Sequence, residues 1–175
     1  MKSVAAALAA LVLAAAGLTG AAEDPAALKV GVPYSLPEWF KPSFLDFRQD
    51  VAEARRQDKH VMVFLHLDHC PYCARLLKES FTSGDNHDFI RKHFDVIAVN
   101  VRGSLEVKWV NGATYTERGL AGHLGVRGTP TLVFLDQDAR NVLQLSGYRD
   151  PRALRAALDY VQSRRYRNGP LTGEN

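Results

Sequence analysis

Only two cysteines occur in the chain, and they stand together as Cys70-Pro71-Tyr72-Cys73. Two thiols at this spacing can close a disulfide and reopen it, so the residue types point to thiol–disulfide exchange. An apolar run precedes them and a helical pattern follows. That context puts Cys70 at a helix N-terminus and Cys73 one turn inside. Unpaired backbone N–H groups and the helix dipole favour a thiolate on Cys70, the expected nucleophile. Cys73, shielded by its own helix, suits the resolving thiol. Pro71 fits the first helical position and limits the geometry between the sulfurs. Tyr72 is expected as a surface ring beside Cys70. A purely structural bridge would close so short a loop that it would stabilise little.

A second element is Gly128-Thr129-Pro130-Thr131, directly ahead of a β-branched apolar run. Proline alone takes a cis bond readily, and a cis Thr129–Pro130 bond is expected here. This loop would lie beside Cys70, with the Thr129 backbone offering edge-strand hydrogen bonds to an incoming peptide. His66, His69, Cys70 and Cys73 form H-x-x-H-C-x-x-C, which are zinc-type ligands. His66, however, should point off a strand while Cys70 sits at a helix tip, and no second C-x-x-C exists. No metal site is therefore expected. His69 reads as a neighbour of Cys70 that, protonated, would lower the thiol pKa. His66 reads as a core or sheet-face histidine.

Several elements must position these residues. Ser43 can cap a helix in which Phe44, Phe47, Val51 and Ala54 recur at helical spacing to about Gln57. His60 to Leu67 is a continuous apolar run with β-branched Val61 and Val63, a buried central strand. After the dithiol, a helix continues from Ala74 to Phe81. Asp85 can cap another over about Asn86 to His93, and Asp95 to Val101 is a second strand. Gly103 to Tyr115 reads as an inserted hairpin turning at Asn111-Gly112. Trp109 on it suits packing over the sheet better than an exposed docking role. Thr116 starts a short helix that Gly125 closes. Thr131 to Leu135 is a third strand. Asp136 and Asp138 are turn formers rather than calcium ligands. Asn141 to Leu145 pairs back antiparallel, and Asp150-Pro151 opens a last helix with Leu154, Leu158 and Val161 inward. Two apolar strands joined through helices imply a parallel crossover. The fold class is therefore α/β: a three-layer sandwich, its central mixed sheet carrying helices on both faces and a small hairpin insertion.

The composition is that of a globular protein. It has 175 residues, 46% of them hydrophobic and 23% charged, which excludes wholesale disorder. Net charge is +3, from scattered basic residues that make no nucleic-acid footprint. Residues 1–22 read as a secretory signal: Lys2, an apolar run from Ala5 to Leu18, then Thr19-Gly20-Ala21-Ala22. That run is too short for a comfortable membrane span of about 20 residues. No cysteine lies near the cleavage point, so no lipid anchor is expected. The remainder divides into a Pro-rich lead-in (23–42), the domain (43–167) and a flexible tail (168–175). Val32, Tyr34, Leu36, Trp39 and Phe40 make the lead-in too apolar for a free linker. The product is expected to be a soluble, monomeric protein of an oxidising compartment, the periplasm.

Strand, Cys-Pro-Tyr-Cys, helix, and later Gly-Thr-Pro-Thr before a hairpin and final helix resemble the thioredoxin superfamily over about Ser43 to Tyr166. "FIRKHFDVIAVNV", "WVNGATYTERGLAGHLGVRGTPTLVFLD" and "LSGYRDPRALRAALDYVQSRRYR" look like the SoxW-type periplasmic thioredoxins of sulfur-oxidation operons. The resemblance implies a three-layer fold, Cys70 as nucleophile, Cys73 as resolver and Pro130 as cis-proline after Thr129. It implies no cofactor beyond the redox-active Cys70–Cys73 disulfide. It implies periplasmic client proteins with disulfides, and electrons from a membrane thiol-electron transporter of the CcdA/SoxV/DsbD type. The pattern also departs from the family. Phe64 stands where thioredoxins keep a buried aspartate, leaving water or the neighbourhood of Asp68 to take the proton from Cys73. Thr116-Glu117-Arg118-Gly119 lacks the second glutamate of the usual Thr-Glu-x-Glu and its capping contact.

The expected function is reduction of periplasmic protein disulfides. The alternatives are a disulfide oxidase or isomerase using the same cysteines, and a non-enzymatic copper- or zinc-binding module. No dimerisation domain precedes the dithiol, which disfavours the isomerase.

Overall fold

The computed structural model describes residues 33–171. The expected signal segment 1–22 and the first part of the lead-in lie outside the described residues.

Four strands build the main sheet: β1 (His60–His66), β2 (Phe94–Asn100), β5 (Thr131–Leu135) and β6 (Asn141–Ser146), in the order β2-β1-β5-β6. β1 runs parallel to β2, with His60 opposite Phe94 and His66 opposite Asn100. It is antiparallel to β5, with Leu65 opposite Thr131, and β5 is antiparallel to β6. Every residue of β1 is buried, as a continuous apolar run between two partner strands requires.

Alternation along β1 sorts the core into two layers. Met62 and Phe64 face α2 (Pro71–Ser80), α3 (Gly84–His93) and α5 (Pro151–Gln162). There they pack with Leu76, Ile90, Leu158 and both cysteines. Val61, Val63 and Leu65 face α1 (Phe47–Arg56) and α4 (Glu117–His123), among Phe47, Val51 and Leu120. The parallel crossover through α2 and α3 and the helices on both faces are those the sequence predicts.

α1 starts later than expected. Asp46, not Ser43, is its N-cap and accepts from the Gln49 N–H at 3.2 Å. Leu45 takes a left-handed φ of 59°, so the helix cannot run back through it. Ser43 instead accepts from the Leu45 N–H at 2.7 Å and donates to the buried Asp50 carboxylate at 2.6 Å. Lys41 pairs with that carboxylate at 2.9 Å. Phe44, expected on the helix face, is left 98% exposed. α3 likewise begins one residue before Asp85, which sits in its first turn behind the N-cap Ser83.

The hairpin is β3 (Glu106–Lys108) and β4 (Thr114–Thr116). Its turn uses Gly112 at φ 87°, and the Asn111 side chain accepts from the Ala113 N–H. Trp109 is 3% exposed and packs its ring 4.8 Å from that of Phe47. The described part of the lead-in is bound to the domain. Lys41 N–H donates to Val96 O on edge strand β2 at 2.8 Å, and Trp39 donates to Phe81 O at 3.1 Å. Such cover protects the sheet edge. At the other end, Tyr160 donates to Gly169 O at 2.7 Å and Leu171 packs against the core; the rest of the expected tail lies outside the described residues.

Candidate functional site

Strand β1 ends at His66, and the chain turns through Leu67-Asp68-His69 to α2. His69 adopts a left-handed φ of 59°, and the Cys70 N–H closes the turn on Leu67 O at 3.2 Å. Cys70 is the N-cap of α2, with extended backbone, and Pro71 follows at the first helical position. The Cys70 sulfur accepts the Cys73 N–H at 3.1 Å, the place a capping oxygen usually fills. Cys70 and Cys73 are joined as a disulfide with Cα atoms 5.2 Å apart. Cys70 keeps 6% of its surface exposed, whereas Cys73 is fully enclosed. An external sulfur can therefore reach Cys70 before Cys73.

β5 brings the second segment in. The Thr129–Pro130 peptide bond is cis. The Thr129 hydroxyl donates to the Cys70 sulfur at 3.3 Å, and its carbonyl lies 3.6 Å from the same sulfur. Thr131 pins the loop by donating to Gly128 O at 2.8 Å, and Gly147 N–H donates to Pro130 O at 2.8 Å. Cys70 thus sits between a helix N-terminus and the Thr129 hydroxyl, two sources of hydrogen bonds to a developing thiolate.

His66 does not join the cysteines. It is buried on the α2 side of the sheet, its ring stacked 5.6 Å from Phe64, with Nδ1 2.8 Å from the Tyr34 hydroxyl. Burial holds its pKa below the ordinary histidine value. His69 lies on the exposed loop ahead of Cys70. Among the described residues, no three His, Cys, Asp or Glu side chains converge as a metal site. Phe64 fills the core where a buried base would stand. Asp68 is exposed and accepts from Asn100 Nδ2 at 3.1 Å.

Three features at this end of the molecule escaped the sequence reading. Tyr34 reaches from the lead-in to donate to Leu67 O at 2.9 Å, directly under the dithiol turn. Burial and the Asp68 charge raise its pKa. Tyr148 donates to the Glu79 carboxylate, lies under the Arg75 guanidinium at 4.4 Å, and sits 6.3 Å from the Tyr72 ring. Burial and the Glu79 bond push its pKa up to about 12, while the Tyr148 and Arg75 hydrogen bonds hold Glu79 low. Glu117 is buried and accepts the N–H groups of Asn100 at 3.0 Å and Leu105 at 3.2 Å, bracing the loop after β2. Gly147, at φ 84° just ahead of Tyr148, was the one local signal of a shaped turn there.

The sequence pattern of the thioredoxin-like domain matches residues 47–162, most of the chain. The chain belongs to the thioredoxin-like family. A thioredoxin-fold protein from Helicobacter pylori superposes with a TM-score of 0.57 at 24% identity, over 63% of this chain and 73% of that one. A thioredoxin from Thermus thermophilus gives 0.52 at 28% identity, over 66% and 83%. No curated protein matches at the sequence level. With its vicinal cysteines at the tip of α2, this thioredoxin-like protein is a thiol–disulfide oxidoreductase.

Proposed function

We propose that the protein is exported to the periplasm and works there as a reductase of protein disulfides, in the manner of the SoxW-type thioredoxins. The observation that carries the reading is the asymmetry of the pair. Cys70 is reachable and receives the Cys73 N–H and the Thr129 hydroxyl, while Cys73 is enclosed. The signal pattern of residues 1–22 supports export.

In the reduced protein, the Cys70 thiolate attacks one sulfur of a client disulfide. A Cys70–client bond forms, and the other client sulfur leaves as a thiolate that takes a proton from solvent. Cys73 then loses its proton to water or towards Asp68, and its sulfur attacks Cys70. The client's second thiolate departs, and the protein is left with the Cys70–Cys73 disulfide. Two electrons have passed to the client. A membrane thiol-electron transporter of the CcdA/SoxV/DsbD type would return them, and the cycle needs no other cofactor. Thr129, ahead of Pro130, offers its backbone to the client peptide, and protonated His69 would favour the Cys70 thiolate.

The reduction potential of the Cys70–Cys73 couple, measured against thiol buffers, tests the direction. A value near about −270 mV, that of thioredoxin, is expected of a reductase. A value near about −120 mV would make the protein an oxidant and overturn the reading.

A further inference from the structure

Tyr72, Arg75 and Glu79 are spaced three and four residues apart, so they share one face of α2. Tyr148, on the loop between β6 and α5, lies along that face. Its ring is 6.3 Å from that of Tyr72 and 4.4 Å from the Arg75 guanidinium, and its hydroxyl donates to the Glu79 carboxylate. Arg75 donates to the same carboxylate at 2.9 Å, so the helix holds the ring by its face and by its hydroxyl. Burial and the Glu79 bond push the Tyr148 pKa up to about 12, and the hydroxyl keeps its hydrogen through the neutral range.

The same loop is tied to the segment that touches Cys70. Gly147 N–H donates to Pro130 O at 2.8 Å, and Ser146 stands opposite Thr131 in the β5–β6 register. The Arg149 guanidinium donates to Ser146 O at 2.9 Å and to Tyr148 O at 3.2 Å, tightening the turn between them. Pro130 follows Thr129, whose hydroxyl donates to the Cys70 sulfur at 3.3 Å. A path of contacts therefore leaves α2 near its C-terminal end at Glu79. It runs through Tyr148, Gly147, Pro130 and Thr129, and returns to α2 at its N-cap, Cys70. A hydrogen bond weakens steeply with distance and angle. How the loop seats on the helix thus decides how well the Thr129 hydroxyl meets the sulfur.

We infer that Tyr148 is a positioning residue for exchange at Cys70: by seating the β6–α5 loop on α2 through Glu79, it holds the Thr129 hydroxyl against the Cys70 sulfur. It acts through Thr129, not on the sulfur itself. What it changes is the share of Cys70 present as thiolate in the reduced protein, and with it the rate of attack. The inference rests on thiol–disulfide exchange alone and holds whichever way the electrons flow.

The test reads the pH profile of iodoacetamide alkylation of Cys70 in the reduced full chain, the modified cysteine being identified by mass spectrometry. Tyr148→Phe keeps the ring against Arg75 and removes the hydroxyl. Alkylation at neutral pH is expected to slow by about two- to fivefold, with the midpoint of the profile moved to higher pH and the plateau at high pH retained. In a Thr129→Val background the same change should slow nothing further, because the bond through which Tyr148 acts is already gone. Glu79→Gln and Glu79→Ala remove the same charge, but only glutamine can still bond the hydroxyl, which both donates and accepts. Glu79→Gln should therefore keep the parent profile, and Glu79→Ala should follow Tyr148→Phe. An unshifted profile in Tyr148→Phe would overturn the inference, and a lower urea midpoint beside it would mark Tyr148 as a stabilising contact only. Slowing that persists in full in the Thr129→Val background, or equal profiles for the two Glu79 variants, would overturn it as well. The Glu79 side chain is about one-third exposed, at 32%, so that pair decides the matter even where Tyr148→Phe does not fold. No client takes part in these measurements, so the direction of electron flow is tested apart from them.

Discussion

The Tyr34 hydroxyl sits 2.8 Å from His66 Nδ1 and 2.9 Å from Leu67 O, joining the lead-in to the last residues of the strand that ends at the dithiol. A hydroxyl has one hydrogen. Directed at the Leu67 carbonyl, it leaves its lone pair for a proton on His66 Nδ1. One tyrosine thereby settles the tautomer of a buried histidine and braces the turn that carries Cys70.

Tyr34→Phe keeps the ring and removes both bonds, leaving a buried imidazole N–H and a carbonyl without their partner. The loss in stability should be about 1–3 kcal/mol, read as a lower urea midpoint at unchanged slope. An unaltered midpoint would show that the two hydrogen bonds of the Tyr34 hydroxyl contribute nothing to the stability of the domain.

Cys73→Ser removes the sulfur that completes exchange. A disulfide substrate should then stay attached to Cys70, seen as a stable adduct by mass spectrometry and released by dithiothreitol. Cys70→Ser should form no adduct. Adducts on Cys73 in that second variant would reverse the assignment of roles.

Thr129→Val deletes a hydroxyl that donates to the Cys70 sulfur. A hydrogen bond contributes about 1 kcal/mol, so alkylation of reduced Cys70 at neutral pH should slow by about fivefold. An equal rate would mean that the helix N-terminus alone stabilises the thiolate.

Trp109 and Phe44 are aromatic residues with opposite surroundings. Trp109→Ala empties a packed site against Phe47 and should cost about 3–5 kcal/mol. Phe44→Ala, at a 98% exposed position, should stay within about 0.5 kcal/mol of the parent. Equal effects on unfolding would contradict the packing described here.

His60 and His66 are both held below the ordinary histidine pKa by burial. Arg164 and His93 press further on His60 against Asp136 and Asp58, and Asp68 and Glu117 partly oppose the shift at His66. Each binds fewer protons folded than unfolded, so stability rises with pH across the interval between the two values. It is fully present above about pH 6.5 and is lost as pH falls from there through the folded values. Urea midpoints at pH 7.5 and 5.5 should therefore differ, the acid one being lower. His60→Gln with His66→Gln should flatten that difference, and a slope unchanged in the double variant would remove the histidines as its cause.

The local, short-range features were legible in the sequence. The Cys-Pro-Tyr-Cys tip, the Thr129–Pro130 loop, the buried run of β1, the Asn111-Gly112 turn and the Asp150 cap each depend on neighbours a few residues away. Residue type and spacing determine them almost completely. What only the tertiary structure decided joins residues far apart in the chain. Ser43 and Asp46 are both competent caps. The choice fell to Asp46 because Leu45 turns left-handed and its carbonyl is taken by the Lys108 N–H from the hairpin. Tyr34 meets His66 across 32 positions, and Tyr148 meets Glu79 across 69. The dithiol turn, the loop after β2 and the Thr129–Pro130 loop share one end of the sheet because parallel pairing of β1 with β2 and antiparallel pairing with β5 bring them there. Spacing along the chain carries the chemistry of single segments, while strand order and direction decide which segments share a surface.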